Sequence, residues 1–327
     1  MNSKSAVGVS LKIRFSACAI LISCLLGFTV SAAPQAQSGA STGTPVQHRA
    51  FDTPKQAADA LIQGARNFDV PALREIFGPD GEDLIPTADP VQDKNQAAAF
   101  VARADEKTSV SIEPKNPARA ILTVGNEAWP FPVPLVEKAG KWYFDSKAGR
   151  DEILDQRIGA NELDAITVCR GLVEAQEEYA SEIHDDSGIN QYAQRAISSH
   201  GKQDGLAWKN PDGSWGGPVG ETVAKAIEQG YTTGGEPFHG YYFKVLNGQG
   251  PAAPHGELDY VINGVMIGGF ALVAWPAQYK VTGVETFIVS YNGIVYQKDL
   301  GPDTAKIAAA MERYNPDKTW QRTDDNW

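Results

Sequence analysis

Only one of the three cysteines in this chain, Cys169, lies beyond residue 24. Cys18 and Cys24 sit in an N-terminal leader, so once that leader is cut away no intramolecular disulfide can form. The mature chain must then hold its shape through a buried core rather than covalent cross-links. The leader is read from three parts. Lys4, Lys12 and Arg14 are its only charges, an uncharged apolar stretch covers 15–30, and Val30-Ser31-Ala32 puts small residues before Ala33. That order is a secretory signal peptide over 1–32, which predicts a periplasmic or secreted protein. Leu21-Ile22-Ser23-Cys24 also fits a lipobox. Lipidation of Cys24, or an uncleaved leader, would tether the chain to a membrane; the apolar run continuing through Leu25 to Val30 favours simple cleavage.

Can so long a chain fill a core without bridges? At 327 residues with 42% hydrophobic content it can, and the length suggests two domains. Acidic residues outnumber basic ones 40 to 29, and three of the basic ones leave with the leader. No lysine- or arginine-rich run relieves this acidity, so the surface repels phosphate backbones and no nucleic-acid partner is expected. Cys169 falls on the apolar side of a predicted helix, where a thiol acts as a small buried hydrophobe.

Hydrophobic periodicity then divides the chain. Residues 33–50 are small and polar without period, a flexible linker. Thr53-Pro54 caps a helix carrying Ala57, Leu61, Ala65 and Phe68; Asp69 caps a second, stopped at Gly78; a third is predicted over Gln96–Ala104. Strands follow at Ser109–Glu113 and Ala118–Val124, then a hairpin, Val133–Glu137 with Lys141–Asp145, turning at Ala139-Gly140. Helices before an antiparallel sheet make 51–150 an α+β domain. Residues 151–327 read as a second α+β domain. Its long helix covers Asn161–Ser181, shorter helices are predicted at Asn190–Ser198 and Val219–Gln229, and 200–217 is a glycine-rich loop. Three or four antiparallel strands come next: Gly240–Leu246, Tyr260–Asn263, Gly269–Trp275, and Glu285–Ser290 with Ile294–Asp299 about a tight Asn292-Gly293 turn. A helix over Thr304–Glu312 and a tail end the chain.

The residues able to carry chemistry are few. His200 and Asp204 share a loop with Lys202, His239 precedes a strand, and His255 lies in a second loop. Such a set could hold zinc or copper, yet no pair has helical or strand ligand spacing, so no metal and no cofactor is predicted. The plainer reading has His200 and His239 hydrogen-bonding loop backbone. Ser199 beside His200 lacks the sharp turn and oxyanion hole of a serine hydrolase. Asp80, Glu82 and Asp83, the pair Asp185-Asp186, and Asp212 read as solvated loop acids, since EF-hand spacing is absent. Nucleotide-binding glycine motifs are absent too. Trp208 and Trp215 flank the glycine loop and could line a groove with His200 and Tyr241. His200, Asp204, Trp208, Trp215, His239 and Tyr241 are thus the candidate ligand-binding residues; no catalytic residue is assigned.

Four strings carry a resemblance: His200-Gly-Lys-Gln-Asp-Gly-Leu-Ala-Trp208, Phe238-His-Gly-Tyr-Tyr-Phe-Lys-Val-Leu246, Gly268 through Tyr279, and Val295 through Thr304. Over about Phe51 to Trp320 the chain resembles the exported bacterial domain of unknown function family 2950. The resemblance implies an envelope location and an envelope protein partner, and assigns no activity. At the level of fold, 51–150 is similar to nuclear-transport-factor-2-like cones, and 151–327 looks like a pilin or pseudopilin head. The polar Arg150–Asp164 stretch and a whole preceding domain stand where a pilin has its membrane segment, so a filament subunit is not implied. The expected function is non-enzymatic binding or scaffolding of envelope components. The alternatives are a hydrolase of cell-wall or extracellular polymers, which requires His200, Asp204 and His239 to converge, and a metal-handling protein.

Overall fold

The computed structural model describes residues 47–184, 187–232 and 235–323. The signal peptide, Cys24, most of the linker and Asp185-Asp186 lie outside them. Local signals set the first helices. Thr53 accepts a hydrogen bond from the Gln56 amide (3.1 Å) and opens α1, Pro54–Arg66. Asp69 accepts from the Ala72 amide (3.1 Å) to open α2, Val70–Phe77, which ends at Gly78 with φ +68°. The next helix, α3, covers Pro90–Glu106, starting well before the expected Gln96 because Asp89 caps it and Pro90 supplies a pre-set φ.

An antiparallel sheet follows. It comprises β1 (Thr108–Glu113), β2 (Asn116–Val124), β3 (Trp129–Pro130), β4 (Leu135–Lys138) and β5 (Lys141–Phe144), in the order β1-β2-β4-β5 with β3 on β2. Ala139 and Gly140 both take positive φ, as the two-residue hairpin between β4 and β5 requires. Trp142 and Phe144 are buried on one face, and Tyr143 is half-buried on the other. The helices α1 and α2 pack on β5, and α3 packs on α1 and β2.

The helix that follows corrects the sequence expectation: α4 is continuous over Ser146–Tyr179. The spacing places its start at Asn161 because 147–160 offers few apolar residues. Its first half nevertheless packs inward at Leu154 and Arg157, two turns and one turn before Asn161 on the same stripe. Gly149 allows the approach, since a Cβ there would sit 2.6 Å from the Pro132 carbonyl oxygen.

Asn190–Ser198 is not a helix. Its backbone groups are claimed from afar: the Gln176 side chain accepts from the Ala193 amide and donates to the Ala193 carbonyl, both at 2.8 Å, and the Tyr192 amide donates to Met266. The glycine-rich loop carries a small hairpin of β6 (Trp208–Lys209) and β7 (Trp215–Gly216), leading to α5, Gly220–Glu228. Then come β8 (Tyr241–Leu246), β9 (Gly248–Gln249), β10 (Leu258–Asp259), β11 (Val261–Ile262), β12 (Val265–Met266), β13 (Ala271–Pro276), β14 (Glu285–Ser290), β15 (Tyr296–Asp299), α6 (Thr304–Ala309), β16 (Arg313–Tyr314) and β17 (Gln321–Arg322).

The second sheet is antiparallel with five strands, in the order β17-β15-β14-β13-β8. The tail supplies the fifth, because β17 pairs with the open edge of β15. Only Gly293 of the Asn292-Gly293 pair has positive φ, so β14 and β15 are joined by a loop wider than a two-residue turn. The architecture is α+β, helices on antiparallel sheets. Buried apolar side chains form two clusters, one from Phe51 to Phe144 and one from Ala165 to Tyr314. Both lie within residues 44–327, which make one compact unit.

Candidate functional site

The clearest cavity opens over the first cluster, between α3 and α4, with a volume of about 400 Å³. That lies within the ~300–1,000 Å³ usual for small-molecule sites. Its floor is built by Leu61 of α1, Leu73 and Phe77 of α2, and Leu84, all buried. Phe131 forms one wall, with Phe100 5.5 Å and Trp129 6.3 Å from it between ring centroids. Gln96, Ala99 and Arg103 of α3 and Gln156 and Ala160 of α4 frame the mouth and are exposed. The Arg103 guanidinium stands 5.8 Å from the Trp129 ring centre.

Two buried charges reach the lining. Arg157, 8% exposed, donates to the carbonyl oxygens of Asp83 (3.2 Å) and Leu84 (2.8 Å). Its remaining N–H groups have no acceptor among the described residues. Burial lowers its pKa, opposed by the fields of Asp93 and Asp83, but a guanidinium stays charged. Asp93, 9% exposed, accepts from the Thr87 amide (2.6 Å) and hydroxyl (2.9 Å). Burial raises its pKa, and Asp89 adds to this; the Thr87 hydrogen bonds and Arg157 only partly counter it.

A polar joint holds α3 and α4 in these positions. Asp89, fully buried, accepts from the Gln92 amide (2.9 Å) through one oxygen, and from the Tyr231 hydroxyl (3.1 Å) and the Gly240 amide (2.9 Å) through the other. Asn161 of α4 accepts from the Gln92 side chain (2.8 Å) and donates to the Thr282 carbonyl (2.9 Å). The cleft is therefore fixed by residues that belong to the second half of the chain.

None of the six candidates read from sequence lines this cleft. His200 is exposed and forms no hydrogen bond among the described residues, contrary to the expected backbone contact. Asp204 shapes that loop instead, accepting from the Ser199 amide (2.7 Å) and hydroxyl (2.9 Å). Burial alone would raise its pKa, but those bonds and Arg195 outweigh it and leave the pKa lowered. Trp208 pairs with Gly216 and Trp215 with Lys209 across β6 and β7. The two indoles thus stand on adjacent rungs and face opposite ways, so one groove cannot hold both. His239, at φ +49°, bonds the Asp164 carboxylate through Nδ1 (2.7 Å) and stacks on Phe238. Tyr241 is fully buried and donates to the Glu285 carbonyl (2.9 Å).

The His239–Asp164 pair has the orienting half of a general base, but Nε2 of His239 has no hydrogen-bond partner among the described residues, so no nucleophile is aligned with it. No group of three His, Cys, Asp or Glu side chains among the described residues is arranged to hold a metal ion. Two sequence signals could have located the cleft but lie before the helix starts expected at Gln96 and Asn161: the Asp89-Pro90 cap, and Arg157 in phase with Asn161 and Ala165.

Among the described residues, no helix is long and apolar enough to cross a membrane. The chain belongs to the family described as protein of unknown function DUF2950, whose model matches residues 48–323. No curated protein and no solved structure matches the chain. The likenesses to pilin heads and to nuclear-transport-factor-2-like cones therefore gain no support from a structural neighbour.

Proposed function

We propose that this DUF2950 chain is an exported, non-enzymatic binding protein of the cell envelope that holds a small apolar-bodied ligand in the cleft between α3 and α4. The observation carrying this reading is the cleft: about 400 Å³, floored by buried leucines, walled by aromatics and touched by only a few polar groups. Export rests on the leader, through the order of its basic, apolar and small-residue segments. The cone shape inferred for 51–150 agrees with a pocket between helices and sheet, as an analogy of fold only. An envelope partner, held by scaffolding contacts of the second half, remains part of the proposal.

Nile red, an uncharged dye that brightens in apolar surroundings, tests the reading. Its emission should rise with the purified protein and fall to background in Ala97→Trp, which fills the cleft from α3. Equal dye emission in both proteins would refute the cleft as the binding site. Cell fractionation with N-terminal sequencing checks export; full-length chain confined to the cytosol would refute it.

A further inference from the structure

We propose that the cleft selects an amphiphile with a single carboxylate head, the head on the unengaged N–H groups of Arg157 and the apolar body among Phe77, Phe100 and Phe131. This rests on the ligand-binding reading above and names the class of ligand. A guanidinium as buried as Arg157 is costly unless an anion accompanies it, and two main-chain carbonyls bring dipoles rather than charge.

The nearby protein carboxylates are committed elsewhere. Asp83 is held by Arg150, whose Nε lies 2.9 Å from one of its oxygens. Asp93 has both oxygens on Thr87, and burial makes it resist ionisation. Arg103 stands at the mouth, so the charged side chains lining the cleft are Asp93, Arg103 and Arg157, a basic excess. The chain as a whole is the reverse, with 40 acidic residues against 29 basic. A cationic head would face Arg157 with like charge, and an alcohol would leave it without an anion. A carboxylate matches the guanidinium fork, and an aliphatic or aromatic body suits the floor equally.

Calorimetric titration of the purified protein with decanoate, naphthoate, decanol and decyltrimethylammonium, each kept below its micelle concentration or solubility limit, tests this. At least one of the two acids should bind about tenfold or more tighter than decanol, the scale of a charge-assisted hydrogen bond. Whichever acid wins identifies the body as straight-chain or aromatic. Decyltrimethylammonium should bind more weakly than decanol. Arg157→Met should abolish the preference, so that the acids bind no tighter than decanol in the variant. Because Arg157 also braces 83–84, Arg157→Lys is the milder second variant, expected to keep part of the preference. Decanol binding as tightly as both acids, or a preference that survives in Arg157→Met, would overturn the anionic-head inference while leaving the cleft a binding site. No binding by any of the four would overturn both.

Discussion

Replacing Asp89 with alanine should unlock the joint that sets the cleft. The carboxylate is fully buried and satisfies three donors: the Gln92 amide, the Tyr231 hydroxyl and the Gly240 amide. Losing the helix cap costs about 1 kcal/mol. Stranding two buried donors costs roughly 1–3 kcal/mol each. Relief from no longer burying a carboxylate offsets part of this, so Asp89→Ala should destabilise the fold by about 4 kcal/mol. Tyr231→Phe removes one donor and leaves Asp89 its other two, for about 1 kcal/mol. Urea unfolding followed by tryptophan fluorescence and by circular dichroism measures both, and the double variant should fall short of the sum because the two groups share one bond. A loss below about 1.5 kcal/mol in Asp89→Ala, or strict additivity with Tyr231→Phe, would refute the joint as described.

Glu285 faces Asp299 directly across β14 and β15. Burial, the Glu162 carboxylate and Asp299 push its pKa up to about 6. A raised carboxyl stabilises the fold below its unfolded pKa of 4.5 and loses that contribution as pH rises through about 6. Glu285→Gln should therefore gain about 1 kcal/mol over the wild type above pH 6, after discounting for partial exposure; parallel stability curves across pH 4–7 would contradict this. Cys169 is buried and its thiol is pushed up to about 12, so it should react with a thiol-specific dye only on unfolding, and fast labelling of the native protein would contradict its place in the core. Gly149→Ala should cost roughly 2–3 kcal/mol by driving a methyl into the 132–133 backbone, read as a lowered Tm; an unchanged Tm would mean that α4 does not approach there.

What could be read directly from the sequence were the elements whose signals act over a few residues. Thr53 and Asp69 cap their own helices three residues on, and Ala139-Gly140 turns its own hairpin. The period of two in β5 puts Trp142 and Phe144 on one face, which α1 and α2 then cover, and the apolar side of the long helix does bury Cys169. Where those rules failed, distant groups overrode them. Residues 190–198 have the composition of a helix, but Gln176 and Met266 take their backbone hydrogen bonds. The tail residues Gln321–Arg322 carry no strand signal and become one because β15 offers an unpaired edge.

The histidine-and-tryptophan candidates were drawn from residue type and proximity in the chain, and both are poor guides to convergence. Trp208 and Trp215 are close in sequence but oppose each other through the hairpin register. The cleft is the reverse case: Leu61, Phe77, Asp93, Phe131 and Arg157 come from five separate segments, and no local pattern marks them as neighbours. A core is encoded by periodicity, because each residue that joins it obeys the phase of its own element. A cavity is a shortfall in filling between elements, and it exists only once their packing is fixed. The sequence therefore determined the locally capped helices α1 and α2, the β4–β5 hairpin and the family; tertiary packing alone decided that Arg157 would lie buried beside an open apolar space.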